Sequence, residues 1–376
     1  MGKPMTIRER VAAALRLEPV DQIPFTTYWG SADFGEEWAR LSALGLGHSV
    51  RVGLVDIERA NVSTDSCRYE ENGVSYSRHT VRTPVGEVSM VYRLEAAYGS
   101  SWIMENYVKT PDDYRTVEFV IRDTIYRPAY DEFLKQVETV GEDGYVSGNM
   151  GYSPLMEMRV HLLGLERFSM DMYDRPDLFF SLYETIRAKE REAYPILADG
   201  PADFVIYCGN TSPEILGKER FGKYCVPCYD ELGEMLHARG KLLGSHMDAN
   251  NAEWADVVAA SQLDVIEAFT PAPDTDMSVA DARSAWPDKV LWINFPSSLH
   301  LASRERIQEH TRRMVEESEG IGFIIGITEN IPEQAWRTSL RAIAEALAEA
   351  RPASQGSLGR SGCFGTSAPE PLPFRD

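Results

Sequence analysis

The stretch LLGSHMDANNAEWADVVAASQLDVIEAF, residues 242–269, decides the fold. Leu242 to His246 is a short apolar run that ends on a histidine, and Leu263 to Glu267 is a second that ends on a glutamate. Between them Trp254 to Ala260 carries helical spacing, so the segment reads strand–helix–strand. Strands this short and this apolar, joined by a helix, belong to a parallel sheet covered by helices.

The same unit repeats in both directions. Upstream, Ile23 to Trp29, Gly144 to Gly148 and Asp203 to Tyr207 read as strands; downstream, Val290 to Asn294 and Gly322 to Ile327 do. Helices are predicted over Leu155–Tyr173, Asp177–Leu197, Lys218–Ala238, Ser278–Trp286, Ser303–Glu317 and Pro332–Ala350. An eighth strand is placed near Gly53 to Ile57. Eight such units close into a single (β/α)₈ TIM barrel of the α/β class. No G-x-G-x-x-G turn follows a strand, which argues against an open dinucleotide-binding sheet. Thr6 with Glu9 forms a capping box for an N-terminal helix. Alternating residues from Cys67 to Leu94, with turns at Asn72-Gly73 and at Pro84 to Gly86, predict a β-hairpin insertion at about 67–94. The barrel is assigned to residues 1–351, and a flexible tail to 352–376, which is rich in Ser, Gly and Pro.

With 376 residues the chain has ample material for one large core. Its 38 Lys and Arg against 58 Asp and Glu leave a net charge of −20. That balance opposes nucleic acid or an anionic membrane as partner, since both need clustered positive charge. No apolar run approaches the ~20 residues of a membrane span. MGKPMTIRERV lacks the apolar core of a signal peptide, and five cysteines are too few for a disulfide framework, so the cytoplasm is expected.

In such a barrel the active site lies at the carboxyl ends of the strands. Those positions hold Tyr28 and Trp29, Asn149, Cys208 and Asn210, His246 and Asp248, Glu267, Asn294, and Glu329. A buried strand has no structural need for a His or Glu at its exit, and each requires a partner there. His246 and Asp248 share one side of an extended chain. With Glu329 they form a candidate metal set for zinc, and Glu267 lies close in the same series. Cys225-Val226-Pro227-Cys228 has redox spacing but sits inside a helix, so packing, with Pro227 as a kink, is the reading adopted. Phe25, Tyr28, Trp29, Tyr152, Tyr207 and Phe295 are candidates for an aromatic pocket wall.

Several motifs together resemble the uroporphyrinogen decarboxylase superfamily. They are Arg8-Glu9-Arg10-Val11 through Asp21-Gln22-Ile23-Pro24, Thr83-Pro84-Val85-Gly86, Phe221 to Leu232 with Pro227, and Gly244 to Asn250 around His246. In order they run through nearly the whole of residues 5–350. The resemblance implies a TIM barrel and either porphyrinogen decarboxylation or methyl transfer involving a corrinoid. An arginine-rich substrate segment typical of the decarboxylases is replaced here by Phe25 to Ser31, without arginine. Where zinc methyltransferases of the family carry thiolates, this chain carries Asp248 and Glu329, which allows an oxygen-rich metal site or none. The expectation is therefore a methyltransferase acting on a small methylated substrate, with His246, Asp248 and Glu329 catalytic. Tyr28, Trp29, Asn149, Cys208, Asn210, Glu267 and Asn294 are expected to contact the substrate. Corrinoid (cobalamin) would be supplied by a partner protein or bind transiently, and oligomerisation is compatible. The alternatives are a decarboxylase or lyase of a small acid, and a non-catalytic barrel that binds a corrinoid or tetrapyrrole.

Overall fold

The computed structural model describes residues 4–28, 35–97 and 100–350. Its strands in chain order are β1 (Phe25–Tyr28), β2 (Leu46–Gly53), β3 (Val55–Arg59), β4 (Ser63–Glu71), β5 (Val74–Thr83), β6 (Gly86–Ala97) and β7 (Ser100–Glu105). There follow β8 (Thr124–Pro128), β9 (Gly144–Tyr152), β10 (Phe204–Cys208), β11 (Leu242–His246), β12 (Val265–Phe269), β13 (Val290–Asn294) and β14 (Phe323–Ile327). Eight of them close a parallel barrel in the order β1-β14-β13-β12-β11-β10-β9-β2. The TIM barrel is the fold expected, and seven of its strands lie within a few residues of their predicted places.

The eighth does not. Residues 53–57 straddle two elements, and the barrel strand is β2, one step earlier. β3 leaves the barrel and pairs antiparallel with β8. The reason is visible in LGHSVRVG: Ser49 and Arg51 alternate with Val50 and Val52, so the run reads as alternating rather than apolar. Alternation of this kind marks a strand with one polar face. Here that face lines the barrel.

Strands β4 to β7 form a four-stranded antiparallel sheet between β2 and β9, larger than a single hairpin. The predicted turns are where expected. Asn72 and Gly73 both have positive φ, 50° and 74°, as a two-residue turn between right-twisted strands demands. The N-terminal helix Ile7–Leu15 has its Thr6–Glu9 capping box. Residues 352–376 lie outside the described residues. No helix among the described residues is long and apolar enough to cross a membrane.

Register decides which side chains face the barrel axis, because paired residues share a face. Thr26 and Tyr28 pair with Gly47 and Ser49, Arg51 with Ser147, and Gly53 with Asn149. Further round, Asn149 pairs with Ile206, His246 with Glu267, Glu267 with Trp292, and Asn294 with Gly326. Trp292 on β13 packs over Phe204 on β10 with ring centroids 6.2 Å apart, and its Nε1 donates to Thr26 on β1 at 3.3 Å. None of these strands is adjacent to another, so the contacts span the barrel interior. Gly244 is glycine for the same reason, since a Cβ there would stand 2.7 Å from the Phe204 ring. This plug fills the barrel below the polar residues at its mouth.

Candidate active site

Five side chains carried on or just past four strands, β1, β2, β11 and β12, meet above the plug. Glu267, in β12 just before its bulge, is their centre and is only 1% exposed. Its Oε1 accepts from the Tyr28 hydroxyl at 2.8 Å, and its Oε2 lies 2.7 Å from His246 Nδ1. Arg51 Nη2 forms an ion pair with the same Oε2 and also donates to the Tyr28 hydroxyl. The guanidinium lies over the Tyr28 ring, 4.7 Å from its centroid. On the far side of the imidazole, His246 Nε2 is 3.4 Å from Asp248 Oδ2. A β-bulge follows Glu267 directly, with Ala268 held at φ 54°. Bulges re-aim side chains at barrel rims, and this one turns the strand away just past its carboxylate.

The electrostatics follow from this packing. Burial opposes charge on Glu267, but Arg51 and His246 more than offset it, and the carboxyl is held down at about 2. Burial likewise works against a protonated His246. The Glu267 charge and hydrogen bonds to Asp248 and Glu267 outweigh it, so the imidazole is pushed up to about 9. Asp248 is lowered despite its own burial, by the hydrogen bond and charge of His246. At neutral pH the site therefore holds two carboxylates, an imidazolium and a guanidinium. Burial and the Glu267 charge keep the Tyr28 hydroxyl protonated, well above its usual range.

Around this cluster lie the other predicted residues. Cys208 donates its thiol to Asn149 Oδ1 at 3.1 Å, and burial raises its pKa. Asn210, at φ 78°, donates from Nδ2 to the Tyr152 hydroxyl at 3.0 Å. Asn294 is buried and works as a staple: Nδ2 donates to Thr270 at 3.2 Å, and Oδ1 accepts from the Thr328 amide at 3.1 Å. Trp29 lies outside the described residues. Of the aromatic set, Tyr28 and Tyr152 reach the mouth. Tyr207 turns outward, where its hydroxyl donates to Glu190 at 2.6 Å, and Phe295 packs against His300 and His310.

Glu329 departs from expectation. It is exposed beyond the end of β14 and does not join His246 and Asp248. Among the described residues no group of three or more His, Cys, Asp or Glu side chains is arranged to hold a metal. Both imidazole nitrogens of His246 already face carboxylates, and Arg51 Nη2 lies 3.2 Å from Nδ1. A cationic side chain thus stands where the predicted cation would, and this donor set does not fit zinc. The Cys225/Cys228 pair is buried, and desolvation pushes Cys225 up to about 12, as a packing role requires. Pro227 stands at the start of the helix Val226–His237 rather than kinking it.

Arg51 was the residue that sequence reasoning missed. Its signal was the alternation in β2, and the misplaced eighth strand concealed it. Gly209 is a second. A Cβ there would collide with the backbone carbonyl of His246. Gly209→Ala is expected to push the exits of β10 and β11 apart and lower turnover at least ~10-fold, because small misplacements in an active site are costly. Steady-state assay beside a thermal melt checks this: turnover should fall far more than stability.

The sequence matches uroporphyrinogen decarboxylase (URO-D) over residues 104–350. Among solved structures the chain is similar to a methyltransferase from Methanosarcina mazei, with a TM-score of 0.56 at 13% identity, covering 92% of this chain and 99% of that one. A B12-independent methionine synthase from Shewanella sp. W3-18-1 gives a TM-score of 0.38 at 10% identity over 70% of each chain. A search of curated proteins finds no match. The family match spans well over half of the chain and contains β9 to β14, including His246 and Glu267. The chain belongs to the uroporphyrinogen decarboxylase family.

Proposed function

We propose that the protein is a methyltransferase that moves a methyl group from a small substrate in the barrel mouth, with His246 as proton donor. One observation carries this reading: a nearly buried imidazole is held protonated by a carboxylate that is itself fixed by Arg51 and Tyr28. When a methyl group leaves oxygen, sulfur or nitrogen, the heteroatom gains negative charge and needs a proton. A positioned acid typically contributes about 10²–10⁴-fold to such a step. Nδ1–H of His246 donates to Glu267, which fixes the ring. Nε2–H, held by Asp248 only at 3.4 Å, is the proton available to the leaving atom. Arg51 and Tyr28 keep Glu267 ionised while the imidazole gives up its proton.

A corrinoid brought by a partner protein would accept the methyl group. No residue is assigned to holding it, and none of the steps above depends on it. The cytoplasmic location rests on the free thiols of Cys67, Cys208, Cys225 and Cys228. A second reading, decarboxylation of a small acid, draws on the same donor, since His246 could protonate the carbon left by carbon dioxide. Incubating the protein with methylated ethers, thioethers and amines, and separately with small carboxylic acids, in the presence of cob(I)alamin kept reduced by titanium(III) citrate, with mass detection of products, tests both. Appearance of the demethylated product and methylated cobalamin supports methyl transfer. Release of carbon dioxide from an acid without methyl movement replaces it with the second reading.

A further inference from the structure

The charge balance of the mouth differs from the acidic character of the chain. Arg51, His246 and one further cation, Arg159, face two carboxylates, Glu267 and Asp248. Arg51 and His246 both spend their charge on Glu267. Arg159 does not share in this. It projects from the π-helical turn Met158–Leu163, just beyond the exit of β9. Its Nη2 donates to the Asn210 backbone carbonyl at 3.2 Å, at the exit of β10. Its Nε is buried with no hydrogen-bond partner, and among the described residues it forms no ion pair. Burial weighs against its charge, which the neighbouring Tyr152 and Asp248 only partly support.

Acids on the surrounding loops do not offset Arg159, because they are engaged on those loops. Glu214 accepts from Asn250 Nδ2 at 2.6 Å, Asp276 from the Asn251 amide at 2.9 Å, and Asp274 from the Ser298 amide at 3.0 Å. Glu329 is exposed. A partly buried guanidinium with an unused donor is costly unless a ligand completes it. Planar, forked donors of this kind match a carboxylate.

We propose that the substrate carries a single anionic group of the carboxylate class, and that Arg159 anchors it at the β9–β10 side of the mouth. The anchor rests on the Arg159 environment. That the other end of the same molecule bears the methyl group rests on the methyl-transfer reading above. Together they name the substrate class as a small methylated acid.

Calorimetric titration separates the two claims. The probes are methoxyacetate and methylthioacetate, each paired with its alcohol, methoxyethanol and methylthioethanol. The wild type is expected to bind the acids at least ~10-fold tighter than the alcohols, as one charge-assisted hydrogen-bonded contact supplies. Arg159→Gln should abolish the preference, and Arg159→Lys should keep part of it. Far-UV circular dichroism verifies that the variants are folded. Equal binding of acid and alcohol by the wild type, no binding of either acid, or an acid preference that survives in folded Arg159→Gln overturns the proposal. An acid preference lost in Arg159→Gln, with no methyl movement in the activity assay, leaves the anchor standing and removes the methyl-transfer reading.

Discussion

His246→Gln should lower turnover by about 10²–10⁴-fold while leaving substrate affinity within a few-fold of wild type. Glutamine keeps a polar side chain of similar reach, so the loss reports proton donation rather than packing. The effect should depend on the leaving group. Substrates whose departing heteroatom is already a weak base need little protonation and should suffer least. The acid in question is held at about 9, so wild-type turnover should stay flat through neutrality and fall as pH rises past that value. In His246→Gln this alkaline limb should vanish. A profile with the same limb in both proteins would assign the proton to another group.

Glu267→Ala is expected to have the largest effect on stability, about 3–5 kcal/mol in urea unfolding. Its carboxylate is the shared partner of Tyr28, Arg51 and His246. Removing it leaves Arg51 beside His246 with no shared counter-charge between them, and only Asp248, 3.4 Å from His246 Nε2, remaining at the imidazole. Glu267→Gln keeps the volume and some of the hydrogen bonds, so it should cost less. The linkage with pH has two sides. Glu267 is depressed from 4.5 to about 2, so its contribution is present above 4.5 and lost as pH falls through about 2. His246 is raised from 6.5 to about 9, so its contribution is full below 6.5 and lost as pH rises through about 9. Both windows should flatten in Glu267→Gln. A stability difference below about 1 kcal/mol for Glu267→Ala would mean that the cluster is not held as described.

The barrel was legible because seven of its strands are short, apolar and separated by helical spacing. The site was legible in part, because polar residues stand out at the ends of such strands. His246, Asp248, Glu267, Tyr28, Asn149 and Cys208 were all found by that rule. Two things were hidden. β2 carries Arg51 inside an alternating run, and Arg51 pairs with Glu267, which is 216 positions away in the chain. Such a partner cannot be read from local pattern. Glu329 failed for the converse reason: it follows a barrel strand, but the chain has already turned outward and leaves it in solvent. Proximity to a strand end says nothing of where the next two residues point.

The proposed function requires His246 to be a cationic acid made by Glu267. Isotope-edited NMR titration of the His246 ring in the wild type and in Glu267→Gln tests this. The expected result is an imidazolium through neutral pH that titrates near 9 in the wild type, and a clear fall in that value once Glu267 is neutral. A wild-type ring that titrates at or below the ordinary 6.5, or one that is unaffected by Glu267→Gln, would contradict it.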